Sequence, residues 1–196
     1  ISAPNARNVV EIASGKVRGF VRNGIVTFKG IPYAGTTAGA ARFMAPVKPA
    51  PWAGVRSSMA LGFACPQAFH VPEGRRAGWT HDEEAFMFEW DDGQPGEDCL
   101  RVNVWTPSTT DVKKRPVLVW IHGGGWQAGD KSDVQLKPQA FTGNGFVFVA
   151  ANYRLLPAVE MGTIVLALSG GFLFVETYTG VLMMGVAQPF LEIPSA

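Results

Sequence analysis

The chain has 196 residues, enough for one sizeable core, with 47% of them hydrophobic and 17% charged. Its 17 Lys and Arg nearly balance 16 Asp and Glu, for a formal net charge of +1. That balance gives no electrostatic case for nucleic acid binding, which usually needs a concentrated basic patch. In chain order, the first predicted elements are two strands, Lys16–Val21 and Gly24–Gly30. They are joined through Arg22-Asn23-Gly24, and Asn-Gly is a strong signal for a tight antiparallel hairpin. Residues 31–51 are rich in Gly, Ala and Pro and read as a meandering loop. Pro49, Pro51 and Trp52 suggest a surface coil pinned by one aromatic.

Residues 66–98, between Cys65 and Cys99, form the most charged region and read as irregular. Two cysteines are too few to argue for a disulfide on their own; if these two pair, the closed loop is worth about 3–4 kcal/mol. Leu100–Trp105 alternates apolar and polar residues, as a half-buried strand does, and Thr106–Arg115 is a polar turn. Val117–Ile121 is the next strand. Gln135–Thr142 fits a short crossover helix, leading to Phe146–Ala151, an almost fully apolar run of the kind found in a central parallel strand.

All Lys and Arg lie at or before Arg154, and beyond it the only charges are Glu160, Glu176 and Glu192. Met161–Val175 and Thr177–Leu191 are uncharged but shorter than the roughly 20 residues a spanning helix needs. Joining them would place Glu176 in lipid, so buried strands or a core helix are expected instead of a membrane span. No signal-peptide pattern follows Ile1, although the lack of an initiator Met leaves room for a removed leader.

The most informative stretch is Trp120-Ile121-His122-Gly123-Gly124-Gly125-Trp126. A strand running into His-Gly-Gly-Gly is how α/β-hydrolases build an oxyanion hole. Glycines let the backbone reach unusual φ/ψ values and approach a ligand closely. The N–H groups can then meet the negative oxygen formed when a nucleophile attacks an ester carbonyl.

Further motifs occur in order: Gly30-Ile31-Pro32-Tyr33-Ala34, Arg42-Phe43, Pro51-Trp52-x-Gly54-Val55, Cys65-Pro66-Gln67, Glu97-Asp98-Cys99-Leu100-x-x-Asn103-Val104-Trp105 and Asn152-Tyr153-Arg154-Leu155. Together with the glycine motif they resemble the amino-terminal portion of type-B carboxylesterases, the group that includes cholinesterases, over about residues 10–155. The resemblance implies an α/β class chain with an α/β-hydrolase fold, incomplete here: an N-terminal hairpin plus the first strands of a central mixed sheet. It implies that Gly124 and Gly125 supply oxyanion-hole amides, with Gly123 and His122 as binding residues beside them and His122 orienting that loop. It implies a Cys65–Cys99 disulfide closing a loop over the active-site mouth, and hence a secreted or extracytoplasmic setting. It also pairs Arg42 with Glu97 at the base of that loop. Trp79 and Trp90 lie within the loop, and a loop tryptophan in cholinesterase-like members receives cationic groups, so Trp90 is a candidate binding residue.

The chain also departs from the pattern. No Gly-x-Ser-x-Gly nucleophile elbow occurs. Ser169 has Gly171 after it but Ala167 where the first glycine belongs. The histidines are His70, His81 and His122, and none is placed in the order expected of a general base. His70 and His81 match no metal-ligand spacing, so neither a metal nor a cofactor is expected. The resulting expectation is residues 1–157 as the amino-terminal part of an α/β-hydrolase domain and 158–196 as a divergent apolar tail. The implied function is a carboxylic ester hydrolase on a small-molecule ester substrate, truncated, spliced or frameshifted and without its nucleophile. The alternatives are a catalytically inactive esterase-like binding or adhesion protein and a non-functional gene product. Oligomeric state has no signature in the sequence.

Overall fold

A computed structural model describes residues 8–42, 44–67, 95–124, 126–132 and 136–155, and the backbone of 173–177 and 180–185. The hairpin forms between β3 (Phe20–Arg22) and β4 (Ile25–Pro32). Arg22 pairs with Ile25, and the two residues between them, Asn23 and Gly24, have φ of 52° and 77°. Positive φ at both positions is the turn whose twist suits a two-residue hairpin.

The sequence reads Lys16–Val21 as one strand, but the chain breaks it at Gly19. Upstream, β2 (Gly15–Arg18) belongs to a separate three-stranded sheet, between β1 (Val9–Ile12) and β5 (Val55–Ser57). A Cβ on Gly19 would lie 2.2 Å from the Thr27 carbonyl oxygen, so only glycine lets the chain pass this close as it changes sheets. The motif's Trp52 then stacks under the Arg56 guanidinium at 4.2 Å and donates from Nε1 to the Lys16 carbonyl (3.0 Å), pinning the small sheet.

The larger sheet is mixed. Its order is β3-β4-β6-β8-β7-β10-β9, with β6 at Arg101–Thr106, β7 at Val117–His122, β8 at Val147–Ala151, β9 at Leu173–Thr177 and β10 at Gly180–Gly185. Strands β7 and β8 are parallel, joined through the helix α1 (Pro138–Gly143), while β6 runs antiparallel to β8. Pro138 starts α1 because the first turn of a helix has no use for its missing N–H. Phe141 of α1 packs on Phe148 of β8 at 5.5 Å between ring centroids. Strand β7 is apolar from Val117 to Ile121 because it is covered on both faces. Leu118 and Trp120 pack with Phe148 and Ala150, whereas Ile121 packs with Cys65, Cys99, Tyr153 and Leu155. In the tail, strand pairing is what the structure shows: β10 runs antiparallel to β7, from Gly180 opposite His122 to Gly185 opposite Val117. No helix among the described residues is long and apolar enough to cross a membrane.

Strand β6 departs from simple alternation, because its polar Asn103 is buried, at 1% exposure. The reason lies opposite, where the β4–β6 register shifts between Phe28 and Ile31. That bulge leaves the Gly30 backbone without ladder partners. Asn103 Oδ1 accepts from Gly30 N–H (2.9 Å) and Arg101 donates to the Gly30 carbonyl (3.0 Å). Asn103 Nδ2 also reaches the Lys131 carbonyl (3.3 Å), tying the bulge to the loop that follows β7. Buried amides persist where every donor and acceptor is matched in this way.

Candidate active site

Strand β7 delivers His122 to the end of the sheet, where it is buried. Its ring stacks on Tyr153 with centroids 4.3 Å apart and 13° between planes. The Tyr153 hydroxyl donates to the His122 carbonyl (2.9 Å). His122 Nδ1 lies 2.9 Å from the Gly123 carbonyl oxygen. A carbonyl can only accept, so the neutral ring carries its proton on Nδ1. Burial lowers the His122 pKa, opposed by the Gly123 carbonyl and the nearby Asp130 carboxylate. His122 is therefore a neutral strut of the loop, not a cation.

This lowered value has a consequence for stability. Between the depressed folded pKa and the ordinary value of 6.5, the unfolded chain binds more protons at this position than the folded one. Stability contributed here is full above pH 6.5 and declines as pH falls below it. Urea titrations from pH 8 to 5 should show His122→Gln losing less stability on acidification than the native chain. Identical pH slopes would contradict the assignment.

The chain then turns sharply. Gly124 has φ of 106°, and its carbonyl accepts from Gln127 N–H (3.0 Å) and Ala128 N–H (3.2 Å). A Cβ on Gly124 would lie 2.2 Å from the Ala128 carbonyl oxygen, so the turn requires glycine twice over, for φ and for space. Trp126 is held at φ of 65°, and its ring meets Tyr153 edge-on at 5.3 Å. A non-glycine residue at positive φ persists only where its surroundings over-determine it. Gly124 is exposed, and its N–H has no acceptor among the described residues. Gly125 lies outside the described residues, as do Trp79, Trp90, His70, His81 and Ser169.

Below this loop, Cys65 and Cys99 form a disulfide, with Cα atoms 4.8 Å apart and both side chains buried. Arg42 pairs with one carboxylate oxygen of Glu97, and the other accepts from Gly39 N–H (2.9 Å). Thr37 also donates to the Glu97 carbonyl, so the segment around residues 37–42 is tied to the chain two residues before Cys99.

Several supporting residues have no signature as a site in the sequence. Lys131 is fully buried, with Nζ 3.3 Å from Asp130 Oδ2 and 3.3 Å from the Phe63 carbonyl. Asn152 donates to Asp130 Oδ2 (2.9 Å) and accepts from Lys131 N–H (2.6 Å). A buried charge needs a partner and satisfied hydrogen bonds, and this network supplies both. Asn152 and Tyr153 belong to one of the quoted motifs, which is the only hint the sequence offers.

Comparison with known proteins places this geometry in context. The model of the carboxylesterase family matches residues 6–157. The chain is 36% identical over 152 residues to phenmedipham hydrolase of Pseudarthrobacter oxydans, covering 77% of this chain and 29% of that protein. It is 37% identical over 150 residues to para-nitrobenzyl esterase of Bacillus subtilis, covering 76% of this chain and 28% of that protein. Among solved structures, a carboxylesterase of Geobacillus stearothermophilus superposes with a TM-score of 0.60 at 35% identity, over 76% of this chain and 27% of that one. The chain thus spans less than a third of the length of these relatives.

Proposed function

Given that this chain belongs to the carboxylesterase family, we propose that it carries the oxyanion-stabilising part of a serine hydrolase acting on small-molecule carboxylic esters. The observation that supports this reading is Gly124 at the tip of β7, an exposed residue held at positive φ whose N–H no described residue accepts from. In the reaction, a serine hydroxyl loses its proton to a base and forms a bond to the ester carbonyl carbon. The carbonyl π pair moves onto oxygen, and that oxyanion accepts from main-chain N–H groups. Gly124 supplies one of them, and Gly125, by its place in the motif, the second. Collapse of the tetrahedral intermediate expels the alcohol and leaves an acyl-serine, which water hydrolyses.

These 196 residues hold no Gly-x-Ser-x-Gly, so this stretch of sequence supplies no recognisable nucleophile elbow. That observation favours a second reading, an esterase-like scaffold that acts by binding. Residues 1–157 are the hydrolase part in either reading, with 158–196 a divergent apolar tail whose strands β9 and β10 extend the same sheet. The disulfide favours a secreted or extracytoplasmic setting.

The test is a hybrid in which residues 6–157 replace the matching segment of para-nitrobenzyl esterase. The hybrid is expected to hydrolyse a chromogenic short-chain ester, while the 196-residue chain alone stays at the uncatalysed rate. A folded hybrid without turnover would leave the scaffold reading standing.

A further inference from the structure

We propose that Gln67 is the positioning residue of the glycine loop, holding the Gly123–Gly124 peptide in place; the inference rests on the oxyanion reading above. The Gln67 carboxamide donates from Nε2 to the Gly129 carbonyl (2.9 Å) and accepts Gly129 N–H at Oε1 (3.2 Å). One side chain thereby takes up both backbone polar groups of Gly129, as a neighbouring strand would. Gly129 in turn lies flat against the start of the loop. A Cβ on it would stand 2.2 Å from His122 Nδ1 and 2.7 Å from the Gly123 carbonyl oxygen. Withdrawal of Gly129 from the loop therefore opens space beside the Gly123 carbonyl, which belongs to the same peptide unit as the Gly124 N–H.

The other end of the clamp is equally fixed. Gln67 follows Cys65 by two residues, and Cys65 is buried and bonded to Cys99. Ala64 bridges Pro95, and its carbonyl accepts from Gly96 N–H (2.9 Å). The Gln67 carboxamide thus adds a hydrogen-bonded link from the disulfide segment to the glycine loop, beside the packing of Ile121 and Tyr153 on the two cysteines and the Lys131 bond to the Phe63 carbonyl. Its chemistry is specific, because the position needs a donor and an acceptor side by side. A glutamate there has two acceptors when ionised, and one of them faces the Gly129 carbonyl. Once protonated, it again offers one donor and one acceptor.

This supplies the test, on the 15N-labelled 196-residue chain with its disulfide intact. Gln67→Ala is expected to lower the hydrogen-exchange protection of the Gly129 amide by about tenfold, the effect of losing a hydrogen-bonded pair. It should also move the Gly124 amide resonance and leave the Val104 and Val149 amides unchanged. Gln67→Glu should behave like Gln67→Ala at pH 7 and return toward the native spectrum as pH falls through the carboxyl range, about 4–6. The other ionisable groups at the clamp are His122, against which Gly129 packs, and Asp130 and Lys131, which follow it in the chain. All are present in the native chain, which is titrated in parallel. If Gln67→Ala fails to fold, the Gln67→Glu titration decides alone. The proposal is overturned by unchanged Gly129 protection, by a Gly124 resonance that stays put while Gly129 loses protection, or by a Gln67→Glu spectrum indifferent to pH. The esterase reading fails on turnover of the hybrid, whereas this proposal fails on loop geometry in the chain itself, so the two failures are distinguishable.

Discussion

Alanine at position 129 is expected to destabilise the chain by about 2–5 kcal/mol, from positive-φ strain and overpacking together. Gly129 has φ of 104°, a region that L side chains rarely adopt. The added methyl would meet His122 Nδ1 at 2.2 Å and the Gly123 carbonyl oxygen at 2.7 Å. Neither neighbour is free to move. The imidazole is buried and stacked on Tyr153, and the carbonyl belongs to the backbone at the exit of β7. Gly143 provides the control, since it ends α1 and a Cβ there meets nothing within 4 Å. Gly143→Ala should be neutral or stabilising by up to about 1 kcal/mol. Equal urea midpoints for the two variants would show that the loop gives way under the added methyl.

Loss of the Cys65–Cys99 disulfide is expected to remove about 3–4 kcal/mol, from chain entropy alone. The two residues are separated by 34 positions, a long loop to leave open in the unfolded chain. Both sulfurs also sit in the cluster formed by Ile121, Tyr153 and Leu155. The Cys65→Ala/Cys99→Ala variant should unfold at markedly lower urea and be insensitive to reductant, whereas the native chain should converge on it when reduced. A native midpoint unchanged by reduction would contradict this.

The parts of the fold that could be read from sequence are those where one local rule dominates. Strands β7 and β8 are apolar because they are covered on both faces, and the β3–β4 hairpin carries its Asn-Gly turn in two letters. The break at Gly19 was hidden because the strand-like pattern continues through it, and only the approach of the Thr27 carbonyl from the next strand demands it. The three residues of β5 are all exposed, so no apolar pattern announces the strand. Asn103 looked like the solvent side of β6, yet it is buried to serve a bulge 73 residues away.

The same division holds at the site. His122, Gly123 and Gly124 stand together in sequence, so their spacing is visible. Their supports are distant: Gln67 reaches Gly129 across 62 residues and Tyr153 reaches His122 across 31. Such contacts exist only once the sheet has brought the segments together. The motifs containing Gln67 and Tyr153 marked these residues without showing what they touch.

The catalytic role proposed for the β7 tip rests on the Gly124 N–H acting as a donor to the oxyanion. The most direct measurement replaces that one group in the hybrid esterase, with glycolic acid standing at position 124 so that the peptide N–H becomes an ester oxygen and no Cβ is added. The expected result is a fall in kcat of about 10²–10³-fold with KM little changed, as when one oxyanion donor is removed. A kcat within about twofold of the parent hybrid, well short of the loss of a donor, would show that β7 ends in a tight turn with no part in the chemistry.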